Sequence, residues 1–301
     1  LRIMDEGKRF PFGGAYNIVS EVKRAELGST LDPEELLHIQ TTAAAIRQMK
    51  FFLQDEAEIA PVLSEYANGL GIFTKLEKQI TNAIDDHGDI KDSASTKLGG
   101  LRTAIQIAKN RVKEKLDSLL HDPSNQKYFQ ENLVTMRGDR YVIPVKVEYK
   151  MNFPGIVHDQ SGTGATLFIE PIAVVNLNND IKRYMAEEKE EMERILRQLT
   201  ANVGVEAPAL LASLDILTDL DVICARAYLA QEQHAVRPQM LLKGKVEIKQ
   251  GRHPLLNKDT VVPLDVELGE RFSMLLITGP NTGGKTVALK AVGLFALMAQ
   301  S

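Results

Sequence analysis

The sequence has very little cysteine and few aromatic residues. It contains one cysteine and no tryptophan, and aromatic residues make up 6% of its 301 residues. A single cysteine, Cys224, excludes an internal disulfide bond and is typical of a reducing compartment, so we expect a cytoplasmic protein. The residues around Cys224 are apolar, which predicts a thiol buried in a helix rather than a nucleophile.

Long apolar runs are also absent. The runs present are shorter than the roughly 20 residues that cross a bilayer, so we expect no membrane partner. Residues 1–6 lack the apolar core of a signal peptide. The composition, 44% apolar and 25% charged, is that of a globular protein, and the length allows two or more domains.

The clearest chemical motif is the glycine-rich segment 279–286, which fits the P-loop pattern G-x-x-x-x-G-K-[ST]. An apolar run at 275–277 predicts a buried strand before it, and the apolar residues after it predict a helix. Glycines let consecutive backbone N–H groups approach phosphate oxygens, and the helix N-terminus adds a positive dipole. The predicted ATP-binding residues are Gly279, Pro280, Asn281, Thr282, Gly283, Gly284, Lys285 and Thr286.

Within this loop, Lys285 is expected to reach the β- and γ-phosphates, and the Thr286 hydroxyl is expected to bind Mg²⁺. Asn281 either approaches the γ-phosphate or stabilises the loop. An ATPase also needs an acidic strand for the metal and a group that positions water. No such groups follow Thr286 here, so Lys285 is the only catalytic candidate, and we expect residues 1–301 alone to be inactive and part of a longer protein.

Most of the chain before residue 241 has helical periodicity. Asp32 as N-cap and Pro33 at the first helical position predict a helix to Leu53, followed by helices after Pro61 and from Leu76. Residues 94–120 predict a long helix, and 176–203 predict its antiparallel partner. The residues on the apolar seam of the first long helix are Leu98, Leu101, Ile105, Ala108, Val112 and Leu119. The acidic run 187–193 is more typical of a solvated helix face than of a metal site.

Alternating, β-branched segments lie between the two long helices. Residues 140–149, 155–158 and 165–171 predict three strands, with a glycine-rich turn at 161–164. After residue 240, segments 246–248 and 261–268 predict strands that lead into the P-loop strand. The pattern therefore predicts a helical hairpin with a small β element at its tip, followed by the start of an α/β domain.

Positive charge is concentrated in this arm. Residues 91–150 contain twelve Lys/Arg and seven Asp/Glu, which is a net charge of +5. The whole chain has a net charge of −4, so the remaining residues together carry −9. A basic arm on an acidic body favours nucleic acid as partner, although a mildly basic solvated surface fits as well. The candidate nucleic-acid-binding residues are Arg137, Arg140 and Lys146.

Three histidine motifs are candidate sites. His158 with Asp159 and Asp86 with His87 have no further ligands at suitable spacing, which favours polar turn or strand-edge roles over metal or acid–base work. His253 precedes the P-loop strand, and either a structural role or a ligand contact fits it, with the structural role favoured.

The P-loop and the segment 251–256 before it resemble those of the MutS family of ATPases. Thr282 and Thr286 are similar to the second bacterial branch of that family, since mismatch-repair members usually carry Met and Ser there. Further segments similar to that branch are 11–14, 140–146, 157–159 and 161–171. The resemblance covers essentially the whole chain.

The resemblance implies a mainly α fold with a small β clamp and the start of an α/β P-loop ATPase domain of the ABC type. The segments it implies are a helical core (1–93), a lever helix (94–123), a β-containing clamp (124–172), a returning lever helix with core helices (173–240) and the start of the ATPase domain (241–301). It also implies a homodimer that uses ATP and Mg²⁺. A nuclease domain and the remaining ATPase motifs, including an acidic strand and a histidine, are expected outside this chain.

For this branch the resemblance implies two targets. One is branched DNA, where a nuclease-bearing protein suppresses homologous recombination. The other is stalled or collided ribosomes, which the protein would split using ATP. Both present a phosphate backbone, so the sequence does not separate them. A structural coiled-coil ATPase of the chromosome-organising type is an alternative, but its arms are longer and lack a β tip. A small-molecule kinase is a third, but it would need a compact lid rather than a helical arm.

Overall fold

The computed structural model describes residues 2–241, 244–280 and 283–300. Helix makes up 56% of the chain and is accompanied by a small antiparallel sheet, which confirms the mainly α class with a small β element. Contacts divide the chain into two compact units, Arg2–Asp221 and Val222 onward. The five predicted segments, with a boundary near residue 240, stay a prediction.

The helices in chain order are α1 (Arg2–Asp5), α2 (Val19–Glu26), α3 (Pro33–Asp55), α4 (Pro61–Gly69), α5 (Thr74–Ala83), α6 (Thr96–His121), α7 (Ile172–Glu232) and α8 (Lys285–Gln300). The strands are β1 (Thr135–Arg137), β2 (Arg140–Lys146), β3 (Gly155–Gln160), β4 (Thr166–Pro171), β5 (Val246–Gly251) and β6 (Leu264–Leu268). Short 3₁₀ turns cover Asp92–Ala94, Gln126–Tyr128 and Val147–Tyr149.

Helix α3 begins where its capping residues predict. The Asp32 carboxylate accepts a hydrogen bond from Glu35 N at 2.9 Å, and the Glu35 carboxylate accepts one from Asp32 N at 3.1 Å. This reciprocal pair satisfies two backbone donors that the first turn leaves open, and Pro33 at the first helical position needs none. The apolar face of α3 then forms the centre of the helical core with α2, α4, α5 and the middle of α7.

Helices α6 and α7 are the predicted long pair. The seam of α6 ends differently from the prediction, because Leu116 and Leu120 are buried while Leu119 is only partly buried. From Ala108 the buried positions recur every four residues, closer to the 3.6-residue period of a straight helix than to the 3.5 of a coiled coil.

Helix α7 is much longer than the predicted 176–203, since it has 61 residues and continues past Pro208. Pro208 lacks the N–H that would bond to the Gly204 carbonyl four residues earlier, which weakens a helix locally. Fully buried apolar residues at helical spacing on both sides, Val203, Ala207 and Leu210, keep the helix continuous through this point. The single cysteine, Cys224, is buried in α7 as predicted.

The clamp sheet has the strand order β1-β2-β4-β3, and all neighbouring strands are antiparallel. The three predicted strands are present, and β1 was missed because its three residues show no alternation. One face of the sheet packs on α6 and the first part of α7, and Ile143, Val145, Leu167 and Ile169 are buried with Val112 and Leu116 of α6. The clamp and the adjoining ends of α6 and α7 therefore share a core separate from that of α3.

The second unit contains the hairpin of β5 and β6 and the helix α8. A bulge in β5 places Gln250 at φ 53°, where Asp265 accepts from its backbone N and its side-chain amide. A Cβ on Gly251 would lie 2.7 Å from the Phe295 ring, so α8 approaches β5 closely at this glycine.

The strand predicted at 275–277 is absent, since these residues belong to no helix, strand or turn. A strand needs a neighbour to pair its N–H and C=O groups, and none of the described segments pairs with this one. No helix in the described parts of the chain is long and apolar enough to cross a membrane.

The start of α6 is joined to α7 through the buried carboxylate of Glu191. Ser95, the N-cap of α6, donates to it at 2.8 Å, and Arg194 donates at 2.7 Å. These donors, Arg194 first, lower the pKa of Glu191 from 4.5 to about 2. Glu191 is thus a buried exception within the acidic run that was predicted to be a solvated face.

This carboxylate predicts a pH dependence of stability. Because its pKa is lower in the folded state, ionised Glu191 stabilises the fold above pH 4.5, and that contribution is lost as the pH falls from 4.5 to about 2. We expect the Glu191→Gln variant to lose less stability than the wild type between these pH values, measured by chemical unfolding. The exposed neighbour Glu193→Gln should retain the wild-type slope, and equal slopes for both variants would contradict the assignment.

Candidate nucleotide site and clamp

The described residues of the predicted P-loop, 279–280 and 283–286, lead directly into α8. Gly283 N donates to Pro280 O at 3.0 Å, and the first helical bond runs from Ala288 N to Gly284 O at 2.9 Å. Gly279 and Gly284 have φ values of 145° and 78°, which residues with a Cβ rarely adopt. The predicted residues Asn281 and Thr282 lie outside the described residues.

Lys285 occupies the first position of α8, where the positive end of the helix dipole favours an anion. Its ammonium donates to the carbonyl of Gly279, so the side chain reaches back across the loop. A Cβ on Gly283 would lie 3.2 Å from Pro280 O, which is too close without a shift of the loop. These features fit a triphosphate held against glycine backbone with Lys285 beside it.

Thr286 offers a single oxygen atom for the predicted Mg²⁺ role. It is exposed in the first turn of α8, and its hydroxyl oxygen is a ligand that Mg²⁺ accepts. Among the described residues, no group of three His, Cys, Asp or Glu side chains is placed to hold a metal. Phosphate oxygens and water would therefore have to supply most of the coordination shell, as is usual for Mg²⁺.

His253 takes part in the turn that follows β5. Its Nδ1 accepts from Leu255 N at 3.3 Å, and its carbonyl accepts from Leu256 N at 3.1 Å. Nδ1 is therefore an acceptor in this turn, which supports the structural role for His253.

The clamp contains a fully buried carboxylate, Glu170 of β4. Its oxygens accept hydrogen bonds from Arg140 Nη1 at 2.7 Å and Asn178 Nδ2 at 2.8 Å, and His158 Nε2 lies 2.6 Å away. The Asn178 amide also pairs with both N and O of Tyr141, as a neighbouring strand would. One network thus connects β2, β3 and β4 to the first turns of α7.

The three candidate nucleic-acid-binding residues differ in their contacts. Arg140 binds Glu170 and, at 2.7 Å, Asn179, so its charge is used within the clamp. Arg137 pairs with Asp159 at 2.9 Å and lies 3.6 Å from the centre of the Phe168 ring. Lys146 has no carboxylate within ion-pair distance among the described residues. Lys146 is therefore the most available of the three cations, and the role of all three stays a prediction.

The Glu170 network is not predicted from the sequence. One signal was present, because Glu170 is a charged residue at the end of the apolar strand 167–169. The histidine motifs at 158–159 and 86–87 have structural partners. His158 and Asp159 contact Glu170 and Arg137, and the backbone N of His87 donates to Asp85 at 2.9 Å in a turn.

Three relatives of this chain share the name Endonuclease MutS2. No protein-family model matches the chain. Endonuclease MutS2 of Geobacillus sp. is 47% identical over 97% of the chain, that of Symbiobacterium thermophilum 46% over 100%, and that of Pelotomaculum thermopropionicum 48% over 96%. The chain spans 38%, 38% and 37% of the length of these relatives. At this identity along nearly its whole length, the chain belongs to the MutS2 family.

Proposed function

We propose that this chain forms the lever, clamp and nucleotide-gripping part of an ATP-dependent cytoplasmic clamp that binds nucleic-acid assemblies as a homodimer. The observation that carries the proposal is the presence, in one chain, of a sequence that fits the P-loop pattern just before and within the start of α8, and of a small β sheet packed on a long helix pair. Helix α7 begins directly after β4 and ends at Glu232, and the P-loop motif follows it along the chain.

In this proposal Lys285 and the loop glycines hold the triphosphate, and Thr286 binds Mg²⁺. ATP binding at two composite sites closes the dimer, and hydrolysis by groups supplied outside this chain reopens it. The lever helices convert that motion into opening and closing of the clamp. The relatives are named endonucleases, so we propose nuclease activity for the whole protein and assign it to no residue here.

Two targets fit the clamp. One is branched DNA, on which the protein would suppress homologous recombination, and the other is stalled or collided ribosomes, which it would split. Both offer dense phosphate, and a basic surface gains affinity from each by releasing counterions. The chromosome-organising alternative is less favoured, because α6 has only 26 residues and its seam departs from a heptad repeat beyond Ala108.

Cosedimentation of the whole protein tests the proposal and separates the targets. The protein is mixed with collided ribosomes or with a four-way DNA junction, with and without ATP, and with single ribosomes and linear duplex as controls. We expect ATP to change binding to one target severalfold more than to its control. Equal binding to all four, independent of ATP, would contradict the proposal.

A further inference from the structure

The turn between β3 and β4, residues 161–164, lies at the end of the clamp sheet. Gly164 N donates to Ser161 O at 2.8 Å, which closes the turn, and Ser161 N donates to Thr166 O at 2.9 Å. Ser161 Oγ also accepts from Thr166 N at 3.1 Å. These bonds fix the backbone of the turn in one conformation.

The two glycines of this turn are there for different reasons. Gly164 has φ 74°, so the fold itself favours glycine at that position. Gly162 has no such φ, and a Cβ built on it would meet no atom within 4 Å. Most residues are accepted at the second position of an ordinary turn. The fold therefore does not require glycine at 162, and an exposed glycine of this kind is typical of a backbone that another molecule approaches closely.

Lys146 lies in the same row of the sheet. It pairs with Thr166 across β2 and β4, Thr166 pairs with Ser161, and Val147 N donates to Ala165 O at 3.0 Å. Strands lie roughly 5 Å apart and paired residues point to the same face, so the Lys146 side chain is long enough to reach the turn.

The turn presents hydrogen-bond donors together with this positive charge. Among the described residues, no acceptor bonds to the backbone N–H of Gly162 or Thr163, and both residues are exposed. Ser161 and Thr163 add hydroxyl groups, 3.3 Å from each other. Two carboxylates lie in the neighbouring segments. Asp159 forms an ion pair with Arg137, and Glu148 is exposed on the 3₁₀ turn after β2.

We propose that the turn 161–164 and Lys146 bind a phosphate group of a nucleic-acid backbone. Backbone N–H groups, hydroxyls and a lysine are the donors that proteins use for phosphate, and the missing side chain at 162 lets the phosphate reach the backbone. The site rests on the proposed clamp function and assigns it a contact point, distinct from Arg140, whose charge Glu170 uses.

The test compares variants of the whole protein in binding to a four-way DNA junction and to collided ribosomes over a range of salt concentrations. Gly162→Val should leave the melting temperature unchanged and weaken binding to the target about tenfold, the change expected for the loss of one hydrogen bond to a charged phosphate. Lys146→Gln should weaken binding and reduce the slope of log K against log salt by about 0.9 on duplex DNA. Gly13→Val is the matched control, because Gly13 is also exposed, uncrowded and without a positive φ.

The outcomes distinguish this site from the clamp function. If the wild type binds and Gly162→Val binds equally well, the phosphate site is wrong and the clamp function stands. If the wild type binds neither target, the clamp function fails and the site with it. If Gly162→Val unfolds, Gly162→Ala and Lys146→Gln decide the question, and wild-type affinity with an unchanged salt slope in both overturns the site. Loss of affinity without a change in slope for Lys146→Gln would indicate an uncharged partner and contradict a phosphate contact.

Discussion

Replacing Lys285 with alanine is expected to lower the affinity of the whole protein for ATP by at least about 100-fold. The ammonium group lies at the start of α8, where it would donate to the β- and γ-phosphates. Hydrogen bonds to charged groups contribute about 1.5–3 kcal/mol each, and every 1.4 kcal/mol changes a dissociation constant tenfold. Losing two such bonds therefore accounts for a 100-fold change without any effect on folding.

The measurement is a titration of the whole protein with a fluorescent ATP analogue. Lys290→Ala is the matched control, since Lys290 is an exposed lysine on the same helix and five residues away. We expect the control to bind like the wild type and Lys285→Ala to show no saturation at concentrations that saturate the control. Wild-type affinity in Lys285→Ala would remove the nucleotide site from this chain.

The elements that were predicted well from the sequence are those with local signals. Asp32, Pro33 and Glu35 mark the start of α3 because capping involves residues three positions apart. The β-branched residues along 140–146 mark β2, because such residues are favoured in strands, and residues 141–145 are all buried.

The elements predicted badly depend on distant partners. The apolar run 275–277 has the composition of a central strand, but pairing requires neighbours that the described residues do not supply. The length of α7 depends on how Val203 and Leu210 pack in the core, which the sequence near Pro208 does not indicate. Composition indicates which secondary structure a segment favours, and the segments that pack or pair with it determine whether it adopts that structure.

The candidate sites follow the same division. The P-loop motif was visible in the sequence because its pattern covers eight consecutive residues. The Glu170 network was not, because Arg140 and Glu170 are 30 residues apart and meet only through the pairing of β2 with β4. That network also changes the prediction for Arg140, which charge alone had assigned to nucleic acid.

The network leads to the second large expected effect, which is on stability. Glu170→Ala removes a fully buried carboxylate and leaves Arg140 and His158 without their shared partner. Removing one member of a buried ion pair costs about 3–5 kcal/mol. We expect about 3 kcal/mol, the lower end, because the side chains of Arg140 and His158 are 22% and 25% exposed and regain some hydration.

Hydrogen exchange of the β2 and β4 amides in the whole protein is the suitable measurement, since it reports the stability of the clamp separately from that of the helical core. Glu187→Ala is the matched control, because the Glu187 pair with Arg183 is exposed and 3.9 Å long and should contribute less than about 0.5 kcal/mol. Glu170→Gln should fall between the two, as it keeps acceptors without the charge. Equal protection in Glu170→Ala and Glu187→Ala would mean that apolar packing against Val112 and Leu116 alone holds the sheet on the lever, and that the arginine at 140 is available for a partner after all.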